Sequence, residues 1–401
     1  MIFPPRSRSH LRLALALAEE LVPRGHEITI VSSTNAPYES KNITMVTFKD
    51  FTYDDKERRL KLVEIGDTGV ITLLKDVTEM LVAMTTHFHN DPSFRNILES
   101  NKTFDLVIVE NLAGESFYGL GNYYNCPVIV LAPGPVSLFN SFLVSNPAHP
   151  AYVPNFIAGL PSEMNFLQRF QNTIYYIWGK YFVYTTAMSQ YDAIMKKSYL
   201  PNGPDLYDIY HNISLVLTYS HASVHPNMPM VPALKEVGGF HIKKPKPLPK
   251  DLQKFLDDSP DGVILFSFGS YVSGTDLSAQ ERNIFINALG RLKQKVLWKF
   301  EAKLSNLPTN IKIMKWLPQN DVLAHPNVKA TISHGGLLSA LEAIYHGVPI
   351  ITIPLTWDQN YNGVQYESKG YGINIPFKEL SEEKLFATVN ELLTNKKSVF
   401  N

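Results

Sequence analysis

The sequence predicts an α/β protein of two units, each built on a parallel sheet, and three observations carry that prediction. A β-rich run from Val328 to Ser333 meets His334-Gly335-Gly336; a helical pattern from Leu337 to His346 follows, and a second apolar run spans Ile350 to Ile353. Strand, glycine turn, helix and strand make a βαβ unit. The chain opens in the same order: a strand stub at residues 1–4, a loop through Pro4-Pro5-Arg6-Ser7-Arg8, a helix from His10 to Arg24, and the strand Glu27–Ser32. Between them lies Lys243-Lys-Pro-Lys-Pro-Leu-Pro-Lys250, an extended, proline-rich and basic stretch that reads as a linker. The expected division is therefore 1–242, a linker over 243–250, and 251–401.

Composition agrees with two domains and narrows the function classes. A chain of 401 residues that is 45% hydrophobic and 18% charged has ample material for two cores. Its 37 basic and 37 acidic residues balance, which gives no reason to expect nucleic acid as a partner. One cysteine, Cys126, excludes an internal disulfide framework and a cysteine-rich metal site; before Pro127 and an apolar strand it reads as a buried thiol. No signal peptide precedes Ile2, and no apolar run reaches the ~18 residues needed to span a bilayer. Asn42-Ile-Thr44, Asn101-Lys-Thr103 and Asn212-Ile-Ser214 are nonetheless glycosylation sequons, a weak sign of a lumenal setting.

In the first unit, Ser9 is the expected N-cap and Gly25 the stop of the opening helix. His10 then lies in the first helical turn, where the helix dipole disfavours an imidazolium and helps keep the ring a proton acceptor. Judged alone, it reads at least as readily as a surface or capping residue. A helical stripe follows through Ile71, Leu74, Val77, Leu81 and Met84; His87 and His89 near its end diverge on a helix and read as solvent-side residues rather than a metal pair. Phe104 to Glu110 is a buried parallel strand ending in a carboxylate, at the same sheet edge where the His10 helix begins. Glu110 could thus orient a histidine base. Glu115, five residues on, is its rival, and a plain solvated acid is the third reading.

Val128–Ala132 is the next strand. From Ser141 to Tyr199 the chain is rich in aromatics, with one or two long helices over Met164–Lys197. Core packing is the first reading of that stripe, the wall of an apolar acceptor pocket the second, and a membrane-surface contact through 164–197 the third. Ser214–Ser220 is another strand, leading to Gly238-Gly239.

The second unit begins with a helix from Leu252 and the strand Gly262–Ser267, which runs into Phe268-Gly269-Ser270. A helix over Ser278–Leu292, the strand Lys295–Phe300, the βαβ unit and a helix over Ser381–Leu393 follow. In that βαβ unit the glycines let the backbone approach a ligand, and the helix amino end offers free N–H groups, which suits a phosphate-bearing ligand. Phosphate-loop, GxGxxG, HExxH and GxSxG motifs are absent, and no acidic pair is placed for a divalent metal.

These residues carry a resemblance. WLPQNDVLAHP and SHGGLLSALEAIYHGVPIITIPLTWDQ, together with RSRSH, RGHEITIVS, FDLVIVE, AYVPN, VGGFHI, GVILFSFGS and KVLWKF, are similar to the signature segments of the UDP-dependent glycosyltransferases, the family of animal UDP-glucuronosyltransferases and insect UDP-glucosyltransferases. HGGLLS and AYVPN resemble the insect branch, which favours glucose over glucuronic acid. The resemblance implies the GT-B fold: two Rossmann-like, doubly wound domains facing across a cleft, acceptor in the amino half and UDP-sugar in the carboxyl half. By motif, Trp316 would stack on uracil and Gln319 would contact the uridine. His334 and Ser339, with Gly335 and Gly336, would bind the diphosphate, Glu342 the ribose, and Asp358 and Gln359 the sugar. Ser270 would line the diphosphate site. Physical chemistry agrees: an indole face suits a flat base, and Glu342 follows Ser339 by one helical turn.

The resemblance further implies an inverting transfer without cofactor or metal, from a UDP-sugar to a hydroxyl of a small lipophilic acceptor. His10 would be the base and Glu110 its partner, where the family usually has aspartate. It implies an endoplasmic-reticulum setting, a signal peptide and full first strand before His10, and a crossing segment, membrane helix and basic tail after the last helix. A chain truncated at both ends is therefore expected. The alternatives are an impaired chain acting as a UDP-binding or partner-binding module, and a UDP-sugar epimerase or hydrolase on the same scaffold.

Overall fold

A computed structural model describes residues 1–5, 7–34, 38, 40–48, 70–226, 228–270, 274–355 and 358–394. The chain divides into two compact units, one reaching to His241 and the other starting at Ile242.

The first unit carries β1 (Ile2–Phe3), β2 (Ile28–Ser32), β3 (Ile43–Thr47), β4 (Val107–Glu110), β5 (Val128–Ala132), β6 (Leu215–Thr218) and β7 (Leu234–Glu236). Its sheet runs in the order β3-β2-β1-β4-β5-β6-β7, every pairing among the described residues parallel. The order reverses direction between β1 and β4, a topological switch point, and ligands of doubly wound folds bind beyond the strand ends there. All four residues of β4 are buried, as a strand covered on both faces requires.

The second unit carries β8 (Val263–Ser267), β9 (Lys295–Lys299), β10 (Ile311–Met314), β11 (Val328–Ser333), β12 (Ile350–Thr352) and β13 (Gly372–Asn374), ordered β10-β9-β8-β11-β12-β13 and again parallel. Its switch point lies between β8 and β11, whose last residues Ser267 and Ser333 pair. An aromatic stack fills one side of the sheet, with Phe266 and Trp298 4.8 Å apart and near-parallel and Phe285 tilted against Phe266 at 4.9 Å.

The structure alters several expectations. The opening helix spans Arg8–Leu21 with Ser7, not Ser9, at its N-cap, because the turn closed by Ser7 N–H on Pro5 O starts it directly after the proline pair. His10 stays in its first turn. Cys126 is half-buried. His89 is not on the solvent side: it is buried, donates or accepts at 2.7 Å with Ser116, and stacks on Phe117. The side chains of Ile71 and Leu74 lie outside the described residues. The 243–250 stretch is hydrogen-bonded onto the second unit, Asn320 Nδ2 donating to Lys243 O and Lys246 N–H to Asp321 Oδ1.

The aromatic segment departs most. A helix over Phe166–Phe182 runs through a π-turn at Val183–Ala187 into a helix over Met188–Ser198. The second of these packs as core, with Met188, Tyr191 and Met195 buried. On the first, Phe166, Phe170, Ile174, Ile177 and Tyr181 form a stripe at helical spacing and all are exposed, Phe166 at 79%. The buried residues on this helix are Asn172 and Gly179. Asn172 Nδ2 donates to the Pro150 and Val153 carbonyls and its Oδ1 accepts from Asn155 N–H, so a polar clamp attaches the helix, with half-buried Tyr176 against Phe142 beside it.

Candidate functional site

The structure brings together two groups of the expected residues, one at each switch point. In the first unit, β1 leads into the His10 helix and the adjacent β4 ends in Glu110. Their side chains meet, His10 Nδ1 donating to Glu110 Oε1. Glu110 is fully buried and the His10 side chain 20% exposed. A buried carboxylate thus fixes the ring tautomer, leaving Nε2 with the lone pair as the proton acceptor. Burial raises the Glu110 carboxyl above its ordinary range, and the His10 contact opposes that rise. Glu110 Oε2 is buried with no hydrogen-bond partner among the described residues.

In the second unit, two serine-glycine turns face each other across β8 and β11. Gly269 N–H donates to Ser267 Oγ and Gly335 N–H to Ser333 Oγ, each at 3.2 Å. Gly335, at φ 90°, has room for no side chain: a Cβ there would sit 2.7 Å from Thr352 Cγ2. Its carbonyl accepts from Asn362 Nδ2 and Tyr366 OH, which pin the turn from the helix Gln359–Ser368. The His334 ring lies between the turns. A Cβ on Gly269 would come within 2.6 Å of its Cε1, and one on Gly336 within 2.6 Å of its Nε2. Burial and nearby Lys299 lower His334 to about 4, so the ring is neutral near pH 7 and can donate one N–H. Its Nδ1 has no partner among the described residues.

The helix Leu337–Tyr345 starts directly after Gly336 and carries half-buried Ser339 in its first turn. One turn on, Glu342 is fully buried and its Oε2 accepts from Gln319 Nε2 at 2.7 Å. Trp316, three residues before Gln319, is 63% exposed, so its indole face is open to a flat partner. Asp358 stands at the N-cap position of the Gln359–Ser368 helix and accepts from Asn362 Nδ2 at 2.6 Å; Gln359 spends its amide oxygen on Leu355 N–H. Ser270 is exposed at the end of the β8 turn.

One residue was missed. Lys299, at the end of β9, is 11% exposed on its side chain and donates to the Gly269 carbonyl and to Glu301, both at 2.7 Å. It places a positive charge beside the turn where a diphosphate is expected. The signal available was its position: the last residue of a strand flanking the switch point.

Among the described residues no group of three His, Cys, Asp or Glu side chains could hold a metal ion, and no helix is long and apolar enough to cross a membrane.

Comparison with known proteins fits this geometry. Residues 1–400 match the family described as UDP-glucoronosyl and UDP-glucosyl transferase. The chain is 32% identical over 403 residues to UDP-glucosyltransferase 2 of Dactylopius coccus, covering 98% of this chain and 77% of that one. It is 39% identical over 409 residues to 2-hydroxyacylsphingosine 1-beta-galactosyltransferase of Homo sapiens, covering 98% and 73%. Among solved structures, the glycotransferase of kitacinnamycin superposes with a TM-score of 0.63 at 18% identity, covering 98% of this chain and 90% of that one, a likeness of fold. The two parallel-sheet, Rossmann-like units are those of the GT-B glycosyltransferases.

Proposed function

Because the chain belongs to the UDP-glucuronosyl and UDP-glucosyl transferase family, we propose that it is an inverting transferase that moves a hexose, glucose first, from UDP to a hydroxyl of a small lipophilic acceptor. The observation that carries the reading is the His10–Glu110 contact at the first switch point. His10 Nε2 takes the acceptor O–H proton while the oxygen attacks the anomeric carbon from the face opposite UDP. The bond to the departing UDP oxygen breaks, configuration inverts, and Glu110 stabilises the imidazolium as it forms. The charge that develops on the diphosphate is met by the His334 ring, Ser339, the turn N–H groups and Lys299 in place of a metal. Trp316 takes the uracil and Glu342, oriented by Gln319, the ribose hydroxyls. Asp358 and the Gln359 amide nitrogen take the sugar.

Glucose is favoured by the likeness to the insect glucosyltransferase. The test is turnover of a phenol and aliphatic-alcohol panel with UDP-glucose, UDP-galactose and UDP-glucuronate, reading the anomer formed. β-Glucoside from the native chain and none from His10→Ala is expected. A retained α-anomer, or equal turnover by His10→Ala, overturns the catalytic assignment; UDP binding without transfer supports the binding-module alternative.

The exposed stripe on Phe166–Phe182 supports delivery of such acceptors from a bilayer surface. This helix carries Arg169 and Lys180 and no acidic residue, with tyrosines and Trp178 among its apolar positions, a composition that suits anionic headgroups. Exposed Asn101 and Asn212 and half-buried Asn42 keep the three sequons open to a lumenal modification.

A further inference from the structure

The helix Gln319–Leu323 begins with three polar residues in a row, and each is tied to a different neighbour. Gln319 Nε2 donates to Glu342 Oε2 at 2.7 Å. Asn320 is buried; its Oδ1 meets His346 Nε2 at 2.9 Å and its Nδ2 donates to Lys243 O, also at 2.9 Å. Asp321 Oδ1 accepts from Lys246 N–H at 3.0 Å. The 243–250 stretch, the short helix and the helix Leu337–Tyr345 thus meet at one side-chain amide.

A helix of five residues with no side-chain cap does not hold its own orientation. Buried Val322 and Leu323 anchor its far end, while the first turn, which carries Gln319, depends on side-chain bonds. Two of these reach the neighbouring helix at positions four residues apart, Glu342 and the C-cap His346, about 6 Å along its axis. Two points fix Gln319 against Glu342; one alone would leave it free to pivot. The Asn320 amide fits only one way round. Lys243 O is purely an acceptor and the Asp321 carboxylate lies 3.3 Å from the same Nδ2, so the nitrogen faces both and the oxygen faces His346. Burial holds the His346 ring below its ordinary 6.5, so it is neutral near pH 7 and donates to that oxygen from Nε2.

On the reading that Glu342 takes the ribose hydroxyls, we propose that Asn320 is a positioning residue that seats Gln319 on that carboxylate, with the 243–250 stretch as its backstop. The Asn320 amide is engaged by His346, Lys243 and Asp321, so its influence on the nucleotide passes through Gln319 and Glu342. Discrimination between ribose and 2′-deoxyribose therefore depends on Asn320, whereas stacking on Trp316 and the diphosphate contacts around His334 do not. The coupling is reciprocal: a ribose hydroxyl that steadies Glu342 also steadies the backbone of the 243–250 stretch.

Titration calorimetry with UDP and 2′-deoxy-UDP tests this without turnover. The native chain prefers UDP by about 10-fold or more, as expected for one hydrogen bond to a carboxylate, and Glu342→Ala and Asn320→Leu both narrow the preference to within about 2-fold. Asn320→Asp, which exchanges only the N–H that faces Lys243 O, falls between them and the native chain. A merely structural Asn320 would weaken both nucleotides alike or lower only the melting temperature. A preference lost in Glu342→Ala but kept in folded Asn320→Leu overturns this proposal alone. Equal binding of the two nucleotides by the native chain removes the ribose assignment of Glu342, and the proposal with it. Should Asn320→Leu not fold, the native chain still decides. At saturation UDP slows hydrogen exchange of the 243–250 amides several-fold more than 2′-deoxy-UDP does, and equal exchange with the two nucleotides overturns the proposal.

Discussion

A single methyl group on Gly336 separates the donor-site reading from a purely structural one. Gly336 has φ −62° and ψ 133°, a conformation alanine adopts freely, so the backbone offers no resistance. The added Cβ would lie 2.6 Å from His334 Nε2 and 2.7 Å from Cε1, whereas ordinary contact begins at 3.4 Å. The ring must retreat by about 0.8 Å, and Gly269 closes in from the other turn. A displacement of that size breaks a hydrogen bond to a phosphate oxygen, worth about 1.5–3 kcal/mol for a charged acceptor. The UDP dissociation constant of Gly336→Ala therefore rises roughly 10- to 150-fold by titration calorimetry. The melting temperature falls by only about 2–4 °C, as for a loss near 1 kcal/mol. Gly335→Ala is the contrast. Its φ of 90° and 2.7 Å approach to Thr352 Cγ2 strain the turn itself, so it loses stability along with binding. Native UDP affinity in Gly336→Ala would refute the assignment of His334 to the diphosphate. So would a stability loss equal to that of Gly335→Ala, since the binding defect would then be one of folding.

Trp316→Ala weakens UDP by about 5- to 150-fold, the ~1–3 kcal/mol of one base–aromatic stack, while the thermal melt of the free chain stays in place because the indole is 63% exposed; an unchanged UDP affinity removes the stacking role. The lowered His334 gives a pH dependence of defined sign. Between its ordinary 6.5 and about 4 the unfolded chain binds a proton that the folded chain does not, so stability falls as pH falls through that window. Urea melts of His334→Gln lose that share of the acid destabilisation, and an identical pH dependence in the two chains would show that the ring titrates freely in the fold. Replacing Phe166, Phe170, Ile177 and Tyr181 by serine abolishes co-sedimentation with vesicles containing anionic lipid and leaves UDP binding intact. Native protein that stays in the supernatant, or that forms dimers lost with the same substitutions, refutes the bilayer reading.

What the sequence disclosed and what it withheld follow the reach of each signal. His10 and Glu110 were legible as a pair because a parallel sheet delivers strand ends to one edge, and the β1–β4 adjacency then brings their side chains into contact. His334, Ser339 and Glu342 were legible because one glycine turn and one helix carry all three. Local pattern fails where a residue's role depends on what covers it. His89 and His87 diverge on their helix as expected, yet spacing could not tell that the β4 turn closes over His89. Lys299 reads as the edge of an apolar strand, and only the neighbouring Gly269 carbonyl and His334 ring give it a role. The aromatic helix Phe166–Phe182 is the sharpest case: helical periodicity is the same for a stripe that faces a core and for one that faces a lipid surface. The discriminating residue there is polar. Asn172 attaches the helix with three hydrogen bonds to the 150–155 loop, and half-buried Tyr176 meets Phe142 on the same side, while the stripe from Phe166 to Tyr181 faces outward. A buried asparagine opposite an apolar stripe is the arrangement expected of a helix whose hydrophobic face is kept for a partner.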